Sequence, residues 1–383
     1  MKENILFVTY LPRELHTGEG YNGKCHYDVV KQIYGTRFYC INISGSADEV
    51  LEREIHLKGS SKIRKLFTLL SGDSFYLYRK AKETIIKAIS QYNIDIVYFD
   101  NSISGKFIER LKKLFPSIKI VAFFIDIEND WMRQLIKQTR SPFSKLSLST
   151  SIKNEILTAR YADRCIVLNN RDSDLFYQYY GYRPYEKIPI MLKGRTNNRC
   201  DKHHGKETKL HALFVGANYL PNVKGLFWFV ENVVKEIDFP FTLDVVGLEM
   251  EKHRTEIELI SSCVNVIGTV DDLSPYYIAS DVVVIPVFEG GGMKIKTGEA
   301  FAFGKVVCGT TESLMGYSDV AEESFIGNEI FVCDDKDSFI TALTELFHRE
   351  YAIYNPELPI WVEENFSQKE IEKRYQHVFD FSE

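Results

Sequence analysis

Between Val282 and Gly304 the chain reads VVVIPVFEGGGMKIKTGEAFAFG, a stretch whose residue types could hold an anion. An apolar run leads into Pro286, and the loop after it carries Glu289, Gly290, Gly291 and Gly292. Lys294 and Lys296 stand at alternate positions behind the glycines, with Met293 before them and Ile295 between them. An amphipathic helix is predicted from about Thr297, with Glu299 in its first turn. Consecutive glycines ahead of a helix let backbone N–H groups converge on an anion, and the helix N-terminus adds its dipole. The two ammonium groups could neutralise a diphosphate, and the Glu299 carboxylate could accept hydrogen bonds from ribose hydroxyls. A run of glycines costs backbone entropy, which favours an anion-binding loop over an idle surface turn. The stretch is not a P-loop, because no Gly-Lys-Ser/Thr end closes it, and no GxGxxG follows the first predicted strand.

Other constellations are weaker. A glycine-containing loop, Arg13 to Tyr21, follows the first strand. Asp126 and Glu128 form a carboxylate pair just past a predicted strand, where a ligand could be met. Asp271/Asp272 and Asp334/Asp335 suit turns and helix caps better than metal ligation. His203 and His204 lie in a polar stretch with no carboxylate or thiol at ligand spacing, so no metal site is expected. The cysteines, Cys25, Cys40, Cys165, Cys200, Cys263, Cys308 and Cys333, are scattered; neither a disulfide framework nor a thiolate metal site is implied.

The elements that must position these residues alternate in two series. Ile5–Tyr10, Phe38–Ile43, Ile94–Phe99, Ile118–Phe124 and Cys165–Leu168 are predicted strands, with helices over 80–92 and 104–114. After a charged, aperiodic segment, Arg195–Lys209, come strands at 213–216, 241–246, 264–267, 282–285, 306–308 and 330–333. Helices over 226–237, 251–261 and 297–303 separate them. Strands alternating with helices indicate parallel sheets. Gly216, Gly247 and Gly268 each end a strand, at the edge where parallel sheets bind ligands. The fold class is α/β, with two nucleotide-binding-like domains expected to face a cleft.

At 383 residues the chain suits two domains of about 150–200 residues. The opening apolar run is too short for a signal peptide, and no segment is long enough to span a membrane; a cytoplasmic protein is expected. The net charge of −6 conceals an asymmetry. Residues 1–199 hold 32 Lys/Arg against 21 Asp/Glu, and residues 200–383 hold 15 against 32. Different partners for the two halves would explain it, and so would undirected drift of surface charge. Nucleic acid is not an expected partner, for no basic–aromatic motif or finger spacing accompanies the acidic total.

Segments 214–233 (FVGANYLPNVKGLFWFVENV), 244–247, 266–273, 276–310 and 312–317 (ESLMGY) resemble, in order, the C-terminal domain of retaining GT-B glycosyltransferases of family 4. The resemblance spans most of 210–380. It implies two Rossmann-like domains: an acceptor domain over 1–200, with a linker at 193–209, and a nucleotide-sugar domain over 210–360. A closing helix within 361–383 would pack back on the first domain. It implies transfer of a sugar from a nucleotide-diphosphate sugar, UDP- or GDP-linked, to an acceptor hydroxyl with retention and without bound metal or other cofactor. Glu299 resembles the second glutamate of the family's Glu-x7-Glu motif, which contacts ribose. The first would fall on Gly291, so the chain resembles a glycine-rich variant, with Glu289 nearby but separated from Glu299 by nine residues. Lys294 resembles the residue that meets the diphosphate, with Gly290, Gly291, Gly292, Met293, Ile295 and Lys296 around it; Gly216 and Asn218 match the loop after the domain's first strand. FFIDIEND, 123–130, resembles a segment that carries a histidine near the reacting sugar; Ile125 fills that slot, which leaves Asp126 as the candidate for its role.

The catalytic candidates are therefore Glu289, Lys294 and Asp126. The expected acceptor is a sugar or a lipid-linked saccharide in polysaccharide or glycoconjugate synthesis. A nucleotide-sugar 2-epimerase of the same fold, or a glycosyltransferase-like subunit without activity, stays open. Residues 59–87 mix seven basic side chains with Leu66, Phe67, Leu70, Phe75 and Tyr78. This segment could lie on an anionic membrane, at the inner face of the cell membrane. Alternatively Ile63, Leu66, Phe67 and Leu70, at helical spacing, bury against the sheet; that core reading is the expectation.

Overall fold

The computed structural model describes residues 3–10, 18–45, 48–192, 209–349 and 354–382. The chain divides into two units, Met1–Met191 with Ile371–Glu383, and Leu192–Glu370. Residues 193–208, which hold Cys200, His203, His204 and nearly all of the charged segment, lie outside the described residues, as do residues 11–17 of the early glycine loop.

The first unit runs β1 (Ile5–Thr9), α1 (Gly18–Tyr34), β2 (Phe38–Gly45), β3 (Glu49–Val50), β4 (Glu54–Lys58), α2 (Lys62–Leu70), α3 (Arg79–Gln91), β5 (Ile96–Phe99), α4 (Gly105–Leu114), β6 (Lys119–Phe124), α5 (Glu128–Gln138), α6 (Pro142–Tyr161), β7 (Arg164–Val167), α7 (Asn170–Tyr180) and β8 (Glu186–Lys187). Its strands lie in the order β3-β4-β2-β1-β5-β6-β7-β8, parallel except for β3. β1, β5 and β6 are buried almost throughout, because helices cover both faces of a parallel sheet. α6 escaped the periodicity reading for a physical reason. Its buried face is polar, with Thr150, Ser151, Asn154, Glu155 and Thr158, so no apolar stripe marks it. A Cβ on Gly105 would stand 2.1 Å from the Asn154 carbonyl oxygen and 2.3 Å from the Thr158 nitrogen. That glycine lets α4 pack backbone to backbone on α6.

α2 departs from expectation most clearly. Ile63, Leu66, Phe67 and Leu70 do share one helical face, but they are 71%, 38%, 67% and 63% exposed. The residues that bury are Thr68 and Leu69. The core reading of that stripe is therefore wrong.

The second unit runs β9 (Leu210–Val215), α8 (Leu220–Asn232), β10 (Phe241–Val246), α9 (Arg254–Ile260), β11 (Val264–Gly268), α10 (Ser274–Ala279), β12 (Val282–Ile285), α11 (Ile295–Ala302), β13 (Val306–Gly309), β14 (Ile330–Val332), α12 (Lys336–His348) and α13 (Glu357–Phe366). Its parallel strands lie in the order β11-β10-β9-β12-β13-β14. Numbered within the unit this is 3-2-1-4-5-6, the doubly wound order, with its switch point between β9 and β12. Cys308 and Cys333 belong to its core.

The chain's end forms two helices rather than one. α13 stays with the second unit, where Trp361 packs edge-on against Phe301. α14 (Gln368–Val378) carries the chain into the first unit, burying Ile371, Tyr375 and Val378. The Tyr375 hydroxyl lies 2.8 Å from that of Tyr98 and 2.5 Å from Nδ1 of His26, whose pKa burial holds down to about 3. Arg164 donates to the carbonyls of His377, Val378 and Asp380, fixing the last turn.

Candidate active site

The carboxyl edge of the second sheet brings together three loops, and tight glycine contacts set their spacing. Gly247, at φ +152°, would place a Cβ only 2.0 Å from the Gly216 carbonyl oxygen. The turn after β10 therefore rests directly on the turn after β9. The Gly216 amide donates to Val246 O at 2.9 Å and the Asn218 amide to Leu248 O at 2.8 Å. The Asn218 side-chain oxygen meets Nε2 of His253 at 3.0 Å. On the other side of the switch point, a Cβ on Gly225 of α8 would be 1.9 Å from the Pro286 carbonyl oxygen. This contact locks α8 to the end of β12.

From Pro286 the loop proceeds through Glu289 to the three glycines. Gly290 has φ +142° and Gly292 φ +62°, regions open to glycine and costly for other residues. The helix then begins at Ile295, with Lys294 as its N-cap, two residues earlier than the sequence suggested. Glu299 is consequently the fifth helical residue and sits beyond the first turn, which corrects its expected place. Its carboxylate accepts from the Tyr277 hydroxyl at 3.4 Å.

The two lysines approach the loop from different sides. Lys294 Nζ folds back to donate to Gly291 O at 3.2 Å, Gly292 O at 3.0 Å and Glu312 Oε1 at 2.7 Å. Lys296 Nζ donates to Asn222 Oδ1 at 2.6 Å and stands 5.3 Å from the centre of the Phe214 ring. Burial, and after it the charge of Lys294, holds the Lys296 pKa down to about 7. The pair thus sets one lysine in an ion pair with Glu312 and one held well below the ordinary lysine range on the two sides of the glycine loop. Met293 is buried and lies against Gly316, where an added Cβ would come within 2.7 Å of its Cγ and Sδ. Ile295 is half-buried. Glu289 is exposed and faces Lys224 at 3.5 Å.

Behind the loop, the segment after β13 acts as a clamp. Thr297 Oγ1 donates to Ser313 O at 2.8 Å, and the Tyr317 hydroxyl donates to Lys294 O at 2.9 Å. Glu312 in this segment is the ion-pair partner of Lys294, with side chains 17% and 12% exposed. Glu312 opens the segment ESLMGY, and its pairing with Lys294 is a finding of the structure. Its position three residues beyond Gly309, at the carboxyl end of β13, was the available signal.

Asp126 belongs to the first unit, two residues past β6 and two before α5, with the half-buried Ile125 beside it. It lies at the carboxyl edge of the first sheet, in a different unit from the glycine loop. A second unforeseen carboxylate holds its surroundings. Glu155 of α6 is fully buried and accepts from the amides of Glu128 and Asn129, at 2.8 and 2.9 Å, and from Ser102 Oγ at 2.9 Å. Tyr180 also donates to it. Glu155 therefore caps α5 and ties it to the loop after β5. Burial pushes its pKa up to about 7 against the opposing pull of these donors. The remaining carboxylate pairs serve as turns and caps: Asp272 accepts from Ser274, Asp334 from Thr311, and Asp335 caps α12. Among the described residues, no cluster of three or more His, Cys, Asp or Glu could hold a metal ion.

A doubly wound sheet with a glycine-rich, lysine-bearing loop at its switch point is the architecture of a nucleotide-binding domain. Residues 209–349 match the family model described as glycosyl transferases group 1. No curated protein sequence matches the chain significantly. Among solved structures, the chain is similar to a glycosyltransferase from Rickettsia africae ESF-5, at 15% identity and TM-score 0.67, over 99% of this chain and 98% of that one. It is also similar to Anabaena HepE in complex with UDP, at 14% identity and TM-score 0.65, over 98% and 99% of the two chains. The lipopolysaccharide outer core galactosyltransferase WaaB is similar at 13% identity and TM-score 0.68, over 98% of each chain. These likenesses establish the GT-B fold, two α/β domains with parallel sheets.

Proposed function

We propose that the protein is a retaining, metal-independent glycosyltransferase that moves a hexose-type sugar from a nucleotide-diphosphate sugar to an acceptor hydroxyl. The observation that carries the reading is the placement of Gly290–Lys296 at the β9/β12 switch point, inside the segment that matches the group 1 family model. In the reaction the bond from the anomeric carbon to the diphosphate oxygen breaks, a bond to the acceptor oxygen forms, and the acceptor proton is released. The main electrostatic demand is charge growing on the leaving diphosphate. Lys294, Lys296 and the backbone around Gly290, Gly291, Gly292, Met293 and Ile295 meet it. Gly216 and Asn218 line the nucleotide side, and Glu299 takes the ribose hydroxyls. Glu289 is assigned to the donor sugar, and Asp126 to the acceptor proton.

The acceptor proposed is a sugar or lipid-linked saccharide, with the enzyme working in the cytoplasm on cell-surface polysaccharide or glycoconjugate synthesis. No helix among the described residues is long and apolar enough to cross a membrane. HepE, similar in fold, has been solved with UDP-glucose, so UDP-sugars head the panel to be tested. Thermal shift and slow donor hydrolysis are measured across UDP-, GDP-, ADP- and dTDP-sugars, followed by acceptor trials with the donor that responds. Stabilisation by one nucleotide family and transfer with the anomeric configuration kept, unaffected by EDTA, is the expected outcome. Interconversion of the free nucleotide sugar without acceptor would replace the reading by the 2-epimerase one. Failure of every nucleotide to bind would leave only a scaffold role.

A further inference from the structure

Tyr277 of α10 is fully buried, and a buried hydroxyl costs free energy unless it is hydrogen-bonded. Its hydroxyl faces two acceptors on α11, the Lys296 carbonyl and Glu299 Oε2, each at 3.4 Å. Its ring lies nearly flat on Phe303, the residue that ends that helix, with ring centres 4.8 Å apart and planes 12° apart. Phenylalanine would fill the same space, so packing does not account for the hydroxyl. α10 is itself tied down at its carboxyl end. The buried Lys305 ammonium donates to the carbonyls of Ile278 and Ser280 at 3.2 and 2.8 Å, and Nδ1 of His211 meets that of Ala279 at 3.1 Å. Tyr277 thus projects from a six-residue helix anchored to β9 and to the start of β13, and its place does not depend on a ligand.

We propose that Tyr277 is a positioning residue: its hydroxyl sets the Glu299 carboxylate so that the site reads the ribose hydroxyls of the donor nucleotide. This rests on the assignment of Glu299 to the ribose under the proposed function. A glutamate side chain has several free torsions, and an untethered carboxylate must be ordered when a ligand arrives. A bond from Tyr277 orders it beforehand. An ionised carboxylate has about four acceptor positions, so one donor does not exhaust it for ribose. Bonds of 3.4 Å are long for a hydroxyl donor, as hydrogen bonds at an unliganded site often are before the ligand draws them in. A carboxylate fixed in this way also penalises a nucleotide that lacks the hydroxyls, because its acceptors are then left without donors.

The test is calorimetric titration of the full chain with UDP and GDP, each beside its 2′,3′-dideoxy counterpart, taking the base whose ribonucleotide binds. The unaltered protein should prefer the ribonucleotide by about tenfold or more. Tyr277→Phe, which keeps the ring on Phe303, should weaken the ribonucleotide by about three- to tenfold and leave the dideoxynucleotide within about twofold. Glu299→Gln should remove most of the preference, and adding Tyr277→Phe to it should change the preference no further. Thermal melts verify that each variant is folded. Equal weakening of both ligands by Tyr277→Phe would mean that the tyrosine serves only the packing of α10, and unchanged ribonucleotide affinity would mean that it does not act on the site; either result overturns the proposal. Glu299→Gln tells the two kinds of failure apart. If it erases the preference while Tyr277→Phe leaves it intact, only the role of the tyrosine falls. If the preference survives Glu299→Gln, the ribose assignment of Glu299 falls and takes the proposal with it.

Discussion

Changing Lys294 to alanine and Glu312 to glutamine, singly and together, separates the anion-binding role of the lysine from its part in the fold. The two side chains make a 2.7 Å ion pair and are 12% and 17% exposed, so Lys294→Ala leaves a largely buried carboxylate without its counter-charge. Breaking a fully buried pair costs about 3–5 kcal/mol. The residual exposure and screening here bring that to about 1–3 kcal/mol, a melting shift of roughly 2–10 °C for a unit of this size. Losing a charge-assisted bond to phosphate should separately weaken nucleotide-diphosphate binding by about ten- to a hundredfold. Glu312→Gln acts in the opposite direction on binding. It keeps the shape of the clamp but removes the carboxylate that competes with phosphate for the ammonium, so affinity should rise about threefold to fivefold. The double variant then recovers the melting temperature lost in Lys294→Ala, because no buried charge is stranded, yet still binds weakly. Calorimetric titration with UDP and GDP, beside thermal melts, reads both quantities. Wild-type affinity in the double variant would remove Lys294 from the site. Weakening by Glu312→Gln comparable to that by Lys294→Ala would show that Glu312 holds the lysine in its working position rather than competing for it.

Lys296 should make nucleotide binding depend on pH. Burial and the charge of Lys294 hold its pKa down to about 7, below the ordinary lysine value, so the free protein loses this charge as pH rises through 7; under the proposed function a bound diphosphate restores it. Binding at pH 8 is expected to take up about one proton, seen as different calorimetric heats in buffers of different ionisation enthalpy, and Lys296→Met should abolish the uptake. Gly225→Ala should destabilise the second unit by several kcal/mol, about the upper end for overpacking. The added methyl would meet a backbone oxygen at 1.9 Å, which no side-chain rotation relieves; an unchanged melt would show that α8 and β12 are not held as described.

Most strands of the second unit were legible because they are short apolar runs, and all but β14 end at or just before a glycine or proline. Val282–Ile285 followed by Pro286, and Phe241–Val246 followed by Gly247, match the observed β12 and β10 without adjustment. The first unit was harder. α1 carries Gly18, Gly20 and Gly23, residues that argue against a helix on propensity, and α6 buries polar side chains in place of an apolar stripe. Helix starts were off where the cap is unconventional. α11 is capped by Lys294 rather than by Ser, Thr, Asp or Asn, and the error carried Glu299 into a first turn it does not occupy.

The candidate site residues divide by the range of the interaction that defines them. Gly290, Gly291, Gly292, Lys294 and Lys296 act through a local loop conformation and sit next to one another in the chain, so their pattern survives in a linear reading. Glu312, Asn222 and Glu155 take their meaning from partners 18, 74 and 53 residues away; only Glu312 has a local marker, Gly309 three residues before it, and that marker does not reveal its partner. The same distinction explains α2. Its periodicity correctly implied one apolar face, but which face a helix buries depends on what packs beneath it, and here Thr68 and Leu69 were chosen over the more apolar stripe. A sequence optimised only for the core would place Phe67 and Ile63 inward. Leaving them 67% and 71% exposed forgoes burial energy of about 1.5–3 kcal/mol for each fully buried side chain, so the packing of Thr68 and Leu69, not the strength of the apolar stripe, decides the face that this helix buries.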